Sequence, residues 1–327
     1  MRVGALGSAR RRGHRIREIV GALAVAGLLT TGLVVISSSA AQAAAAKPET
    51  DWSYYMLDGS SSNAYTLGCN QGDFDADHNS NSMAYLDFGG QNSSGSGTLE
   101  INDNSVSNAT IEAMAENFAI GYYICTGADT TTVLDMSIGT NNSYDDVSTA
   151  GGRTWAAVVH AVQDSTDGED AAPQVYILGG SDIENFGQSD PGGTLDWTNG
   201  FNDADVSLYL DYGSADGCPE STHSNSPACN GGYTQYDYWY MGWGNPSAVA
   251  DPQIYANGTQ QEWTMISYYG YSYQGGNPIE FWAPQDEYDL NSSTYSSSTA
   301  WTDFWNELNT YSATADTPPF SNEIHDE

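Results

Sequence analysis

From Ser82 onward the chain is a succession of short apolar runs, each closed by Gly, Asp or Asn. Eight of them read as strands: 83–88, 120–125, 133–138, 174–178, 206–211, 238–241, 264–269 and 278–282. Several are nearly continuous in apolar residues, as strands covered on both faces are. Between some of them the period changes to that of a helix. The stretch 108–117 opens on a capping-type Asn, and 153–163 sets Trp155, Val158, Val159 and Val162 along one stripe. A short helix is expected over 195–201, and 301–308 places Trp301, Phe304, Trp305 and Leu308 at helical spacing. Strands interleaved with helices predict an α/β fold, a single (β/α)8 TIM-barrel-like domain with irregularities. The competing reading is a β-rich sandwich with peripheral helices, because the surroundings of Tyr238 and Thr264 are poor in helix signal.

The ends divide the chain further. Residues 1–17 are rich in arginine, 19–36 are apolar, and Ala41-Gln42-Ala43 is a small-x-small site. This is the pattern of an export leader over 1–45. The expected organisation is then an N-terminal extension over 46–81, a barrel over 82–312 and a loose acidic tail over 313–327. Six of the 8 Lys+Arg and one of the 42 Asp+Glu fall within the leader, so the remainder carries only Lys47 and Arg153 against 41 acids. A net charge of −39 repels nucleic acid and anionic lipid, whose binding needs basic contacts. The expectation is no nucleic-acid partner and, once the leader is gone, no membrane partner. High acidity alone would also fit disorder, but 22 Tyr, 9 Trp and 8 Phe in short β-type runs are too many for a solvated coil.

Four cysteines suit an oxidising compartment, and hence a secreted, extracellular protein. Cys218 and Cys229 bracket a Pro/Ser/Asn/Gly loop and form the natural local bridge, which leaves Cys69 for Cys125. Three connectivities are open to four cysteines, so this pairing is an expectation.

The candidate chemistry lies in acids at strand ends, where a barrel carries its active site. Asp87 ends the first predicted strand, Asp135 lies in the third, Asp182 and Glu184 follow the fourth, Asp211 ends the fifth and Glu280 sits in the last. In an extended Asp182-Ile183-Glu184 both carboxylates point to one side. Two carboxylates in one pocket are what glycoside hydrolysis uses, one as acid and the other as base, nucleophile or stabiliser. With 41 acids to distribute, the bland alternative for any single one is a solvated surface position. Aromatic rings in or beside the strands suit sugar stacking, though at least half are expected to be core.

The segments AYLDFGGQ at 84–91, GSDIE at 180–184, YMGWGNP at 240–246 and WTMISYYG at 263–270 give the chain a resemblance to family-25 muramidases. It is similar also to the glycoside-hydrolase-like domains of secreted actinobacterial proteins. The resemblance covers roughly 82–288 as scattered short motifs. It implies Glu184 as acid, with Asp182 and Asp87 assisting the developing positive charge. The late Asp of the pattern has only Glu280 as a nearby candidate, and Gly-Gly-Ser precedes the acid pair where apolar residues are usual.

Other motifs are weaker. Asp73, Asp75 and Asp77 alternate like calcium ligands, but the glycine and terminal glutamate of an EF-hand are missing, so a calcium site stays open beside a solvated turn. The histidines show no paired spacing for zinc. No G-x-S-x-G elbow, phosphate loop or dinucleotide loop occurs. The expectation is a monomer with no cofactor and no metal, acting on a polysaccharide or cell-wall glycan through Asp87, Asp182 and Glu184. Asp211, Tyr212, Trp243, Tyr268 and Trp282 are the expected substrate contacts. The alternative function is a catalytically inactive glycan-binding or cell-surface protein on the same barrel.

Overall fold

The computed structural model describes residues 45–99, 104–127, 131–143, 147–168, 174–185, 190–204, 207–221, 227–287 and 295–327. The export leader expected over 1–45 lies almost wholly outside them. From Lys47 to Glu327 the chain is one compact unit. The described residues form ten strands: β1 (Asp51–Tyr55), β2 (Ser82–Gln91), β3 (Gly97–Leu99), β4 (Ser105–Ser107), β5 (Leu134–Asn141), β6 (Val175–Asp182), β7 (Tyr209–Asp211), β8 (Ala248–Ala250), β9 (Gln285–Glu287) and β10 (Asn322–Asp326). Eight of them form a parallel wall in the order β8-β7-β6-β5-β2-β1-β10-β9. Parallel bridges Ala250–Phe281 and Gln253–Gln285 join the two ends of that order and close the wall. The fold is an α/β barrel of the TIM type, with β3 and β4 as an antiparallel excursion from β2.

A helix follows each of the first seven barrel strands: α1 (Ser61–His78), α2 (Asn108–Cys125), α3 (Thr149–Gly168), α4 (Pro191–Asp203), α5 (Gln235–Trp239), α6 (Thr259–Tyr273) and α7 (Ser297–Leu308). Their starts are written in the sequence. Ser60, Ser107, Asp190 and Ser296 each accept a hydrogen bond from a first-turn backbone N–H, and Thr234 forms a capping box with Asp237. The stripe Trp155, Val158, Val159 and Val162 of α3 is buried against the wall.

Four predicted strands are placed differently. The run 120–125 is the last part of α2, where Tyr122 is buried and Ile124 is 54% exposed, so the helical period of Ile111, Met114, Ala115 and Phe118 simply continues. The runs 238–241 and 264–269 lie in α5 with its π-turn extension Tyr240–Gly244, and in α6. Nearly every residue of α6 from Trp263 to Gly270 is buried, and a helix buried around most of its circumference has no polar stripe to betray its period. The run 278–282 makes only the Phe281 bridge, and the strand proper comes later, at β9.

The barrel also begins earlier and ends later than 82–312. The segment expected as an extension carries β1 and α1, and the segment expected as a loose tail carries β10, which pairs with β1 from Asp51–Asn322 to Tyr55–Asp326. Helix α1 buries Ala64, Gly68 and Gly72, small residues that give no apolar stripe. They let the helices approach closely: a Cβ on Gly68 would lie 2.0 Å from the Phe118 carbonyl oxygen of α2. The Cys69–Cys125 disulfide pins this crossing, and Cys218–Cys229 closes the local loop, as the spacing suggested. Asp73, Asp75 and Asp77 are helical positions of α1, not a ligand loop. Asp75 is buried, its carboxylate accepting from Ser82, Tyr122 and Gln71. Among the described residues no helix is long and apolar enough to cross a membrane.

Candidate functional site

Parallel strands deliver all their C-terminal ends to one mouth. Tyr55 ends β1, Asp87 lies near the end of β2, Asp182 ends β6 and Glu287 ends β9. Directly past β6, Ile183 is buried in an apolar cluster while Asp182 and Glu184 take the alternate positions. Glu184 is fixed by its backbone: its N–H donates to Asn142 Oδ1 (3.0 Å) and its carbonyl accepts from Asn142 Nδ2 (2.9 Å). Asp87 accepts the Tyr212 hydroxyl at 2.5 Å and the Gly89 N–H at 2.7 Å. Asp182 accepts from Gln253 Nε2 at 2.9 Å. The Tyr55 hydroxyl reaches toward Glu287 at 3.4 Å. Burial first, and then the charges of Asp182, Glu287, Asp87 and Glu184, raise the phenol of Tyr55, so all four acids lie within electrostatic reach of it.

Among the described residues no Lys or Arg offsets this cluster: Lys47 is bonded to Pro48 and Thr50, and Arg153 is paired on the surface with Asp203 at 2.9 Å. Burial therefore governs the acids. It pushes the Glu184 carboxyl up to about 8, with the charges of Glu287, Asp87 and Asp216 adding to it. Asp182 is raised well above the carboxylate range by burial and then by Glu184. Asp87 is raised by burial, against which its two donors stabilise the charged form. Glu287 is raised by burial as well. Such a group can hold a proton near neutral pH and offer anionic oxygens beside it.

The barrel interior is built to hold Tyr212 in place. Its ring stacks on Tyr85 with centroids 4.7 Å apart, and Tyr85 donates to Asp251 at 2.5 Å. On the neighbouring strands β5 and β6 a Cβ at Gly139 would lie 2.1 Å from the Tyr212 oxygen, and one at Gly180 2.8 Å from its ring. Gly139 of β5 and Gly180 of β6 thus make room for the ring that binds Asp87. Gly139→Ala is expected to cost about 1–3 kcal/mol through overpacking and to move the hydroxyl off Asp87. Urea unfolding beside wild type measures the first effect.

Other predicted contacts lie elsewhere. Asp211 is buried beside Gly242 of the π-turn, on the side of β7 opposite Tyr212, so alternation turns it out of the barrel. Trp243 follows α5 and donates its indole N–H to Asn277. Tyr268 stacks on Tyr271 and Tyr311 on the helical layer. Trp282 is buried in the wall, its backbone N–H bonded to Ala250. Asp135 is second in β5 and therefore near the opposite end of the barrel, and Glu280 is exposed. Glu287 and Tyr55 were not singled out by the sequence; an acid closing the short run after Phe281 was the available signal for Glu287. Beside the cluster, Gln91, Asn141, Asn142, Val147, Ser181, Thr194 and Trp197 line a small cleft of about 10 Å3 with no charged residue among them.

No protein-family profile matches the chain, and no curated protein matches it. Among solved structures it is similar to one described as "The crystal structure of mandelate racemase/muconate lactonizing enzyme from Sulfitobacter sp", at 12% identity and a TM-score of 0.31. That match covers 67% of this chain, which spans about half (50%) of the other. A likeness this slight carries no argument about chemistry.

The resemblance to family-25 muramidases is overturned by these findings, which return no muramidase and no glycoside hydrolase. The geometry undoes it too: the motifs at 240–246 and 263–270, expected along barrel strands, belong to the π-turn region and to α6. As for metals, the described Cys, His, Asp and Glu side chains close enough to share an ion are Cys69, Asp73 and Cys125, and those cysteines are bonded to each other. The mouth carboxylates do not converge on one point in this way.

Proposed function

We propose that the chain is an exported enzyme that cleaves glycosidic bonds of an uncharged polysaccharide by carboxylate acid/base chemistry. The observation that carries the reading is the set of Glu184, Asp182, Asp87 and Glu287 at the barrel mouth, within electrostatic reach of Tyr55 and with no Lys or Arg beside it among the described residues. Glu184, with its pKa pushed up to about 8, donates its proton to the leaving glycosidic oxygen as the carbon–oxygen bond breaks. Glu287, only half-buried, takes a proton from the water whose hydroxyl joins the anomeric carbon. Asp87, held by Tyr212 and Gly89, faces the positive charge that develops on the sugar. Burial, with the charges of Glu287 and Asp87, favours the protonated form of Glu184. An anionic polymer would meet four acids and, among the described residues, no Lys or Arg, which favours a neutral substrate. Two disulfides favour an oxidising compartment, and with the leader pattern of 1–45 the reading is an extracellular protein.

The test is hydrolysis of a panel of chitin, bacterial cell walls, cellulose, xylan and mixed-linkage glucan, followed as released reducing ends. Activity on a neutral polymer, with a fall on the alkaline side as Glu184 loses its proton, is the expected result. No release from any polymer between pH 4 and 8 would overturn the proposal.

A further inference from the structure

A line of hydrogen bonds runs from the backbone of Glu184 to the helical layer. Asn142, whose amide brackets that backbone, also donates from Nδ2 to the Tyr233 oxygen at 3.0 Å. The protons of this line have one consistent arrangement. Thr194 Oγ1 donates to the Asp190 carbonyl at 2.9 Å, and a hydroxyl has one proton to give. The Tyr233 hydroxyl, 2.9 Å from Thr194 Oγ1, is therefore the donor between those two. Its oxygen is left to accept, which requires an N–H from Asn142 and so turns Nδ2 toward Tyr233 and Oδ1 toward the Glu184 N–H. Tyr233 thus fixes which way the Asn142 amide points. It is fully buried, and its ring lies on Tyr238 of α5 with centroids 5.3 Å apart.

Tyr233 is itself held by the segment that the Cys218–Cys229 bridge closes. Its carbonyl accepts from the Cys229 N–H at 2.8 Å, and its own N–H donates to the Asn230 carbonyl at 3.1 Å. Next along the chain, Thr234 pairs with Ala228 and caps α5 together with Asp237. The turn Asn230–Gly232 meets the residue that follows Glu184. Gly231 has a φ of +62°, and a Cβ there would lie 2.4 Å from the Asn185 carbonyl oxygen. On the other side of the bridge, the Asp216 carbonyl accepts from Asn185 Nδ2, and the Asp216 carboxylate from Asn230 Nδ2 at 3.3 Å. The crosslink therefore ties together two stretches, 216–218 and 229–233, that both rest on the backbone around Glu184.

We infer that Tyr233 is a positioning residue for Glu184, acting through Asn142, and that the Cys218–Cys229 bridge holds Tyr233 in place. The catalytic consequence rests on the glycosidase reading, while the hold on the Glu184 backbone does not. A proton donor works only from a fixed place, and a displacement of about 1 Å can cost roughly 100-fold in rate. The clamp also keeps the Glu184 carboxyl in its buried setting beside Glu287, Asp87 and Asp216, and that setting is what raises its pKa. A backbone released from Asn142 would let the carboxyl turn toward water, and its pKa would fall toward the ordinary carboxylate range.

The test compares Tyr233→Phe, which keeps the ring and removes the hydroxyl, with the pair Cys218→Ser and Cys229→Ser, in which Cys69–Cys125 remains. Thr194 Oγ1, 3.3 Å from Asn142 Nδ2, is a longer second acceptor, so the loss in Tyr233→Phe is partial. On a polymer that wild type hydrolyses, Tyr233→Phe should lower kcat about fivefold, the worth of one hydrogen bond, with KM unchanged. The alkaline limb of its pH profile should move to lower pH, and the Ser pair should show both changes more strongly. Hydrogen–deuterium exchange gives a readout that needs no substrate. The Glu184 amide should exchange at least about fivefold faster in both variants, while the amides of β2 and β5 keep their wild-type rates. Unchanged exchange at Glu184 in both variants overturns the inference, as does an unchanged kcat and pH profile in variants of an active wild type. An equal rise across β5 and β6 overturns it too, because Tyr233 would then support the whole wall. Faster exchange at Glu184 in a protein that hydrolyses no polymer keeps the hold of Tyr233 on Glu184 and sinks the glycosidase reading alone.

Discussion

Replacing Glu184 by Gln is expected to lower hydrolysis of the responsive polymer by roughly 10²–10⁴-fold, the usual worth of a positioned general acid. The amide keeps the shape and the backbone clamp to Asn142, so binding of substrate should persist and the loss should fall on kcat. Stability gives the discriminating sign. A carboxyl pushed up to about 8 by burial and neighbouring acids costs the folded state free energy whenever it must ionise. Gln removes that cost, so the variant should melt no lower than wild type at pH 8 and should melt higher at pH 9. A purely structural Glu184 would instead leave activity intact or lose it together with the fold. The pair of measurements is kcat on the polymer and a melting curve at each pH.

Raising the pH from 4 to 8.5 is expected to lower the melting temperature of the wild-type protein by about 10–20 °C, at 2–4 °C per kcal/mol. Burial lifts Asp135 to about 7, and Asp211 and Asp251 to about 8. Glu262 is lifted to about 8 and Asp286 to about 7, while Asp316 stands at about 6. In the unfolded chain these groups titrate near 3.8 for Asp and 4.5 for Glu. The folded state therefore binds protons more tightly, and that stabilisation is complete below about pH 4. It is lost as the pH rises through about 6–8. Each pKa step of one is about 1.4 kcal/mol. After a discount for relaxation, Asp135, Asp211 and Asp251 together still represent on the order of 5 kcal/mol. That is comparable with the whole stability of an ordinary domain. A melting temperature that stays flat from pH 4 to 8.5 would show that these acids are ionised in the native state, and would remove the ground for Glu184 as a proton donor.

The barrel was legible where sequence and burial obey one period. Runs 83–88, 133–138 and 174–178 are strands because both faces are covered, and 153–163 is a helix because only one is. Legibility failed where that link breaks. Helix α6 is buried nearly all round and reads as a strand, while α1 packs through Gly68, Gly72 and Ala64 and reads as nothing. Strand β10 has a single apolar residue, Ile324, so its acids suggested a tail. The acid pair of the mouth was legible because Asp182 and Glu184 flank a residue that must be buried. Glu287 was hidden by a three-residue strand, and Glu280 attracted attention by its apolar neighbours. The aromatic residues were visible as a composition but not as places, since a ring in an apolar run carries no sign of which side of the wall it will face.

The pairing of β1 with β10 sets the order of events when the chain folds. The wall is sealed by contacts between Asp51–Tyr55 and Asn322–Asp326, so its last seam cannot form until nearly the whole sequence is available. Half-barrels assembled earlier present unpaired strand edges at β1, a state prone to sticking to other chains. Contacts of such long sequence separation also slow folding relative to local ones. The Cys69–Cys125 crosslink joins α1, next to β1, to α2, so the waiting edge is held against its own neighbours while synthesis continues. Removing the segment from Asn322 onward would therefore leave a barrel with an open seam, and the loss should appear as aggregation during refolding before it appears in any property of the mouth.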